Sequence, residues 1–363
     1  MSKKKEPLKL KGERVWRTYI GGREIDRLHG EKELKDTHYP EEWMYSVTQA
    51  ANSGRESVVE GLCKIDDGTN VSLKELIEEY PEEILGKVHV NTFGSTPGVL
   101  IKIIDSKERL TIQVHPDKSG AMRLFGSSFG KTECWHILGL RGDSPESPCI
   151  YLGFKKGITK EHWMDCFEKQ DYEKMLNLLN RIEVKTGETY LVKGGVPHAI
   201  GAGCLIMEIQ EPTDYTVRVE KVTPSGYVID DRMCHQGLGF EKMFECFHYI
   251  GSTATEIKEQ YRIGPLELEW EHGRKSQLIG YKDTNCFQIQ KLEVEDFCSL
   301  RGEGVFYCLY ILSGEGVLNT ASETYDIAKN GQFFIPADSG EYCIRNAGKE
   351  ALVMLKMYGP QCD

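Results

Sequence analysis

The chain has 363 residues, room for two or three domains at about 150 residues each. Hydrophobic residues make up 40% and charged ones 28%, a composition that excludes a disordered chain and a disulfide-stapled miniature. Acids exceed bases by 56 to 45, a net charge of -11, so the surface repels nucleic acid and no such partner is expected. Glycine, at 37 residues, runs above its usual ≈ 7% share and favours many turns between short strands.

The N-terminus, MSKKKEPLKLKGERVW, is basic, but no apolar segment follows it, so it does not read as a secretory signal. Nowhere does an apolar run approach the ~18 residues of a membrane span. The twelve cysteines are scattered, without a C-x-x-C pair. They read as structural thiols of a reducing compartment, the cytoplasm.

In chain order, EEWMYSVTQAANSGRESVVE is extended with a glycine turn. Residues 72–85 form a helix, with Ser72 as its cap and Leu73, Leu76 and Ile77 at helical spacing. VLIKIIDS (99–106) and LTIQVHP (110–116) are strands around a charged turn. Residues 159–180 are helical, capped by Thr159, with Trp163, Phe167, Met175, Leu178 and Leu179 as an imperfect apolar stripe. Short strands follow in GETYLVKGG, HAIGAGCLIMEIQ and YTVRVEK. Beyond Pro224 a polar, irregular stretch reaches about residue 275. Strand patterns then return in NCFQIQKLEV, FYCLYILSGEGVLN, GQFFIPADSGEYCIRN and ALVMLKMYG. GQFFIPA resembles GETYLVKGGVPHA, a faint internal repeat that suggests two β-barrels of one type.

Three segments carry candidate chemistry. In TIQVHPDK, strand alternation points Gln113 and His115 the same way, and Pro116 ends the ladder. Alone, this also describes an ordinary strand with one polar face. In GKTECWHIL, Lys131 and Glu133 share a face while His136 falls on the other; a solvated ion pair would look the same. In GGVPHAIGAG, His198 follows a glycine turn and a proline. Jointly, two imidazoles, a carboxylate and an amide oxygen suit a divalent metal with an open position, zinc above others. Downstream, Glu208 faces away from Leu205, Met207 and Ile209. Arg218 lies between Val217 and Val219, facing either solvent or a cavity that holds an anionic or enediolate substrate. Lys118, Lys131, Lys193 and Arg218 form a candidate set of cations for a phosphate.

IQVHPDK (112–118), GKTECWHI (130–137) and VPHAIGAGCLIMEIQEPTDYTVRV (196–219), with ERVWRTYIGG (13–22) more loosely, together resemble the type I mannose-6-phosphate isomerases, zinc enzymes of the cupin superfamily in their compact bacterial form. The resemblance implies a mainly β fold of two cupin-type (jelly-roll) β-barrels with a helical insertion. A catalytic domain would span 1–240, with the insertion around 118–182, and a second cupin-like domain 241–363. It implies one zinc per chain held by His115, Glu133, His198 and Gln113, with Arg218 as active-site arginine and Lys131 lining the pocket. Glu208, a candidate proton carrier, and Asp214 fall near the site. The implied reaction interconverts mannose 6-phosphate and fructose 6-phosphate. A cupin enzyme acting on another sugar phosphate, an iron dioxygenase and a non-catalytic sugar-binding cupin are the alternatives. The second barrel, lacking a histidine–carboxylate set, is expected to cap and stabilise the first.

Overall fold

The computed structural model describes residues 5–362, so Met1–Lys4 of the basic start lie outside the described residues. The fold is mainly β, with antiparallel strands in four sheets. The first sheet orders its seven strands as Arg262–Ile263, Thr189–Val192, Glu133–Leu140, Cys204–Gln210, Leu100–Asp105, Glu41–Met44 and Glu13–Val15. The second has five: Val217–Arg218, Gln113–Val114, His198–Ile200, Cys149–Phe154 and Leu179–Glu183. The expected strand over 110–116 keeps ladder pairing only at Gln113–Val114, and Pro116, with no N–H to donate, limits it on the C-terminal side.

Alternation explains how these sheets stack. Trp135, Ile137, Tyr190 and Ile206 of the first sheet share a core with Ile150, Leu152, Ile182 and Ile200 of the second. The second sheet's other face, with Val114, Phe154 and Val217, packs on Trp163, Phe167 and Met175 from the helical region and on Phe244. Buried on both faces, it reads as nearly continuous apolar sequence.

The third sheet is built mainly from the C-terminal part: Leu266–Leu268, Gly273–Ile279, Gln288–Val294, Leu352–Tyr358, Tyr307–Ser313 and Gln332–Ile335, then Leu8–Lys11 and Lys64–Ile65. A four-stranded sheet (Phe297–Leu300, Tyr342–Asn346, Glu315–Asn319 and Thr324–Ala328) shares a core with one of its faces. Its other face meets the outer face of the first sheet, where Met207, Ile209 and Ile101 pack in one cluster with Phe334, Leu355 and Met357. The 1–240 and 241–363 division is crossed twice by strand pairing. Leu8 pairs with Phe334 of the third sheet, and Arg262–Ile263 pairs with Thr189 and Tyr190 of the first.

The helices differ from the sequence reading where a cap or a proline intervenes. Ser72 forms a full capping box with Glu75 on helix Leu73–Glu79, and Pro81 at the first position opens a separate helix, Pro81–Leu85. Residues 159–180 split into Lys160–Glu168 and Tyr172–Asn177, because Asp171 caps the second through Lys174 N–H and Gln170 takes a left-handed φ of 48°. The span 118–182 holds these helices and Lys118–Phe125, but also strands Glu133–Leu140 and Cys149–Phe154. The stretch past Pro224 is not irregular throughout: it contains helices Asp231–His235, Phe240–Met243 and Ala254–Tyr261. No helix among the described residues is long and apolar enough to cross a membrane, and no disulfide joins any of the cysteines among the described residues, most of which are buried.

Candidate metal centre and its pocket

Register brings the site together from two facing walls. In the second sheet Arg218 lies directly across from Gln113, and Gln113 across from His198, so the three stand abreast on one face. In the first sheet Glu133 lies opposite Gln210, and two residues along comes the row Trp135, Glu208, Lys102 and Trp43. His115 and Lys131 sit at the ends of their strands, one past Val114 and the other before Glu133. Six residues read from the sequence, namely Gln113, His115, Lys131, Glu133, His198 and Glu208, are thus brought within reach of one another, with Arg218 on the same wall. His136 is not among them. It lies on the opposite face of its strand, where its Nδ1 shares a hydrogen bond with Thr189 Oγ1 at 2.9 Å.

Each imidazole is fixed by its other nitrogen. His115 Nδ1 donates to the Tyr215 carbonyl at 2.8 Å and His198 Nδ1 to the Val196 carbonyl at 2.8 Å, which leaves both Nε2 lone pairs facing the same point, 3.1 Å apart. Burial holds both rings neutral: His115 is lowered to about 3 and His198 is also lowered, each against the pull of Glu133. Burial would raise the Glu133 carboxyl, but His115, Lys131 and His198 hold it well below the usual carboxylate range. Glu133 Oε1 lies 3.0 Å from His115 Nε2, and Oε2 lies 3.8 Å from His198 Nε2. Trp135 Nε1 donates to Oε2 at 3.1 Å and fixes the carboxylate's orientation.

Two converging lone pairs and a carboxylate call for a cation. Lys131 supplies one here, its ammonium donating to Glu133 Oε1 at 2.6 Å and to His115 Nε2 at 3.0 Å. Ligand atoms of His115, Glu133 and His198 all lie within 4.8 Å of one another. Bonds of about 2.0–2.2 Å to a tetrahedral ion set ligand atoms roughly 3.3–3.5 Å apart, so the set fits a divalent metal. Gln113 arrives with its amide nitrogen toward His198, Nε2 to Nε2 at 3.4 Å. Turning the amide over presents its oxygen instead.

Beside this centre is a narrow pocket lined with equal numbers of cations and carboxylates: Arg17, Lys102, Lys131 and Arg218 against Glu41, Glu133, Glu208 and Asp214. Glu208 is 2% exposed, and its Oε1 has no partner among the described residues. Its Oε2 is 3.4 Å from Lys102 Nζ. Burial and the nearby Glu133 push its carboxyl well above the usual range. Lys102 also reaches Glu41 at 3.5 Å, and Arg17 Nε lies 3.1 Å from the same Glu41 oxygen. Glu41 further accepts from Tyr19 and Trp43, each at 2.7 Å. Arg218 Nη1 donates to the carbonyls of Thr216 and Met233 at 3.1 and 3.0 Å, leaving the rest of its fork for the pocket. It faces the cavity.

The sequence alone does not single out Arg17, Tyr19, Glu41 and Lys102 as site residues. The available signal was a single lysine in the otherwise apolar LIKII, where a buried charge requires a partner. The four-cation set for a phosphate does not hold. Pro116 turns the chain away, so Lys118 begins a helix and, with Lys193, lines a different cleft beside Asp117 and His248.

Fold and site together define a metal-binding protein with a cupin domain. The model of the type I phosphomannose isomerase catalytic domain matches residues 25–128, and that of the mannose-6-phosphate isomerase cupin domain matches residues 279–355. The chain belongs to the type I phosphomannose isomerase family. It is 26% identical over 330 residues to the mannose-6-phosphate isomerase ManA of Bacillus subtilis (strain 168), covering 87% of this chain and 92% of that one. It is 27% identical over 292 residues to the mannose-6-phosphate isomerase of Streptococcus mutans serotype c, covering 80% and 82%. The crystal structure of the Bacillus subtilis mannose 6-phosphate isomerase superposes with a TM-score of 0.73 at 22% identity, over 97% of this chain and 99% of that one. A zinc-bound mannose 6-phosphate isomerase superposes with a TM-score of 0.72 at 16% identity, over 98% and 100%.

Proposed function

We propose that this chain interconverts mannose 6-phosphate and fructose 6-phosphate through an enediol, with one Zn²⁺ per chain held by His115, Glu133 and His198 and by the amide oxygen of Gln113. The observation that carries this reading is the pairing of two buried features. One is the set of converging neutral imidazole lone pairs around Glu133; the other is the pocket carboxyl of Glu208, with one oxygen unpartnered. Isomerisation moves a proton between two adjacent carbons and leaves negative charge on oxygen while it does so. When bound, the metal polarises the sugar oxygens, a contribution of several kcal/mol toward that charge.

The chain's own residues do the rest. Glu208 takes the proton from the carbon next to the aldose carbonyl and returns it to the former carbonyl carbon, with Lys102 at 3.4 Å as the counter-charge to its ionised form. The guanidinium of Arg218 holds the developing oxyanion. Lys131, which also lines the pocket, contacts the sugar oxygens. The buried cluster of Arg17, Glu41, Tyr19 and Trp43 fixes Lys102 from behind.

The sheets are read as two cupin-type barrels, the first and second sheets forming one and the third and fourth the other. The 1–240 and 241–363 division then exchanges residues 8–11, 64–65 and 262–263 between the two. A cytoplasmic enzyme with a sugar phosphate as its partner molecule follows from this assignment. The test is a coupled assay on mannose 6-phosphate with chelated and zinc-restored protein. Activity is expected to vanish on chelation and return with zinc; full turnover in the metal-free protein would overturn the reading.

A further inference from the structure

The C-terminal sheets bury polar side chains where a barrel that only caps its neighbour would bury hydrocarbon. In strand Leu352–Tyr358, Met354 and Tyr358 belong to the core shared with the four-stranded sheet, so Lys356, between them in the alternation, points the same way. It is 3% exposed. Directly across from it stand Gln290 on one neighbouring strand and Leu309 on the other. Lys356 Nζ donates to Glu303 Oε1 at 2.5 Å and lies 4.0 Å from the centroid of the Tyr307 ring. The Tyr358 hydroxyl donates to the other Glu303 oxygen at 2.9 Å. Gln290 is 6% exposed, and its amide oxygen has no partner among the described residues.

That side chain lines a cavity of ≈ 500 Å³, together with Tyr281, Phe306, Tyr358, Lys275, Gln288 and Glu303. It shares no lining residue with the pocket at Glu208. We propose that this cavity is a second, non-catalytic site that binds a neutral, monosaccharide-sized polyol. An unpartnered amide oxygen needs a donor, which a hydroxyl supplies. Lys275 offers a donor group, and the Glu303 carboxylate, which already accepts from Lys356 and Tyr358, keeps lone pairs that take a further hydroxyl and repel an anion. Three aromatic side chains supply apolar surface for the C–H faces of a sugar ring, and the volume falls within the usual range for small-molecule sites. The third sheet's polar row is thus one wall of a binding cavity as well as part of a support.

Saturation-transfer NMR tests this on the zinc-loaded full chain, with D-mannose, D-fructose and D-mannitol as probes in turn. At least one probe is expected to bind, to keep binding in Arg218→Ala, and to weaken by about tenfold or more in Gln290→Leu, which removes the acceptor. Isomerase activity in Gln290→Leu is expected to be unchanged. Glu303→Gln, on the exposed rim, provides the same readout if Gln290→Leu fails to fold. Absence of transfer from all three probes would overturn the proposal. So would transfer that is abolished by Arg218→Ala but indifferent to Gln290→Leu and Glu303→Gln, since it would then arise in the catalytic pocket.

Discussion

Four side chains at the metal centre and two in the pocket beside it have roles that separate in measurable ways. His198→Ala removes one of two neutral donors whose lone pairs meet at 3.1 Å. It is expected to lose both bound zinc and turnover, measured by elemental analysis and the coupled assay. Arg218→Ala is expected to keep the zinc and lose turnover by orders of magnitude, because the arginine touches Thr216, Met233 and the pocket but none of the ligand atoms. Glu208→Gln keeps the shape of a side chain that is 2% exposed and removes the proposed proton carrier. Its turnover is expected to fall by about 10²–10⁴-fold with zinc content unchanged; a kcat within a few-fold of the parent would hand the proton transfer to another group. Strand parity alone made much of this legible. It put Gln113 with His115, Lys131 with Glu133, and His136 on the wrong face, and it set Glu208 apart from its apolar neighbours. It did not reveal Arg17, Glu41 or Lys102, because their partners come from strands far apart in the chain and only the sheet order brings them into one row.

Elements were legible where local chemistry decides them and not where tertiary pairing does. The capping box of Ser72 and Glu75 is a local signal, and the helix begins where it says. Ser72→Ala is expected to cost about 1 kcal/mol, a small drop in midpoint by thermal denaturation. The kinetic constants are expected to be unchanged, since that helix lies in the core between the large sheets and away from the pocket. The pattern over 159–180 reads as one helix because apolar positions resume at Met175 beyond the polar Lys169, Gln170 and Asp171. The left-handed Gln170 is held by its own side chain, which donates to Phe167 and Val219 carbonyls at 2.6 and 3.2 Å. Those bonds come from the fold, and no periodicity announces them. The two-residue strands Gln113–Val114 and Val217–Arg218 carry two of the seven candidate residues, and alternation showed which side chains share a face there but not how short the paired segments are.

At the scale of the molecule, the wall that carries the candidate site is one face of a sheet whose other face is the interface between the two halves of the chain. Cys204–Gln210 shows this directly: Glu208 and Gln210 face the site, while Met207 and Ile209 belong to the cluster containing Phe334, Leu355 and Met357. The N-terminal strand reinforces that union by pairing Leu8 with Phe334. Two halves joined through so much apolar surface are expected to unfold together. Phe334 is fully buried and stacks on Phe306 with ring centroids 5.2 Å apart, so Phe334→Ala is expected to cost about 3–5 kcal/mol. Denaturant unfolding followed by tryptophan fluorescence and by residual isomerase activity tests the coupling, because tryptophans 16, 43, 135 and 163 lie in the N-terminal half and Trp270 packs against the C-terminal core. Both probes are expected to give one shared transition, shifted equally by the substitution. A parent protein that loses fluorescence in two steps, with Phe334→Ala moving only the step that leaves activity intact, would mean that the second half folds as an independent body and that the catalytic sheet does not depend on it.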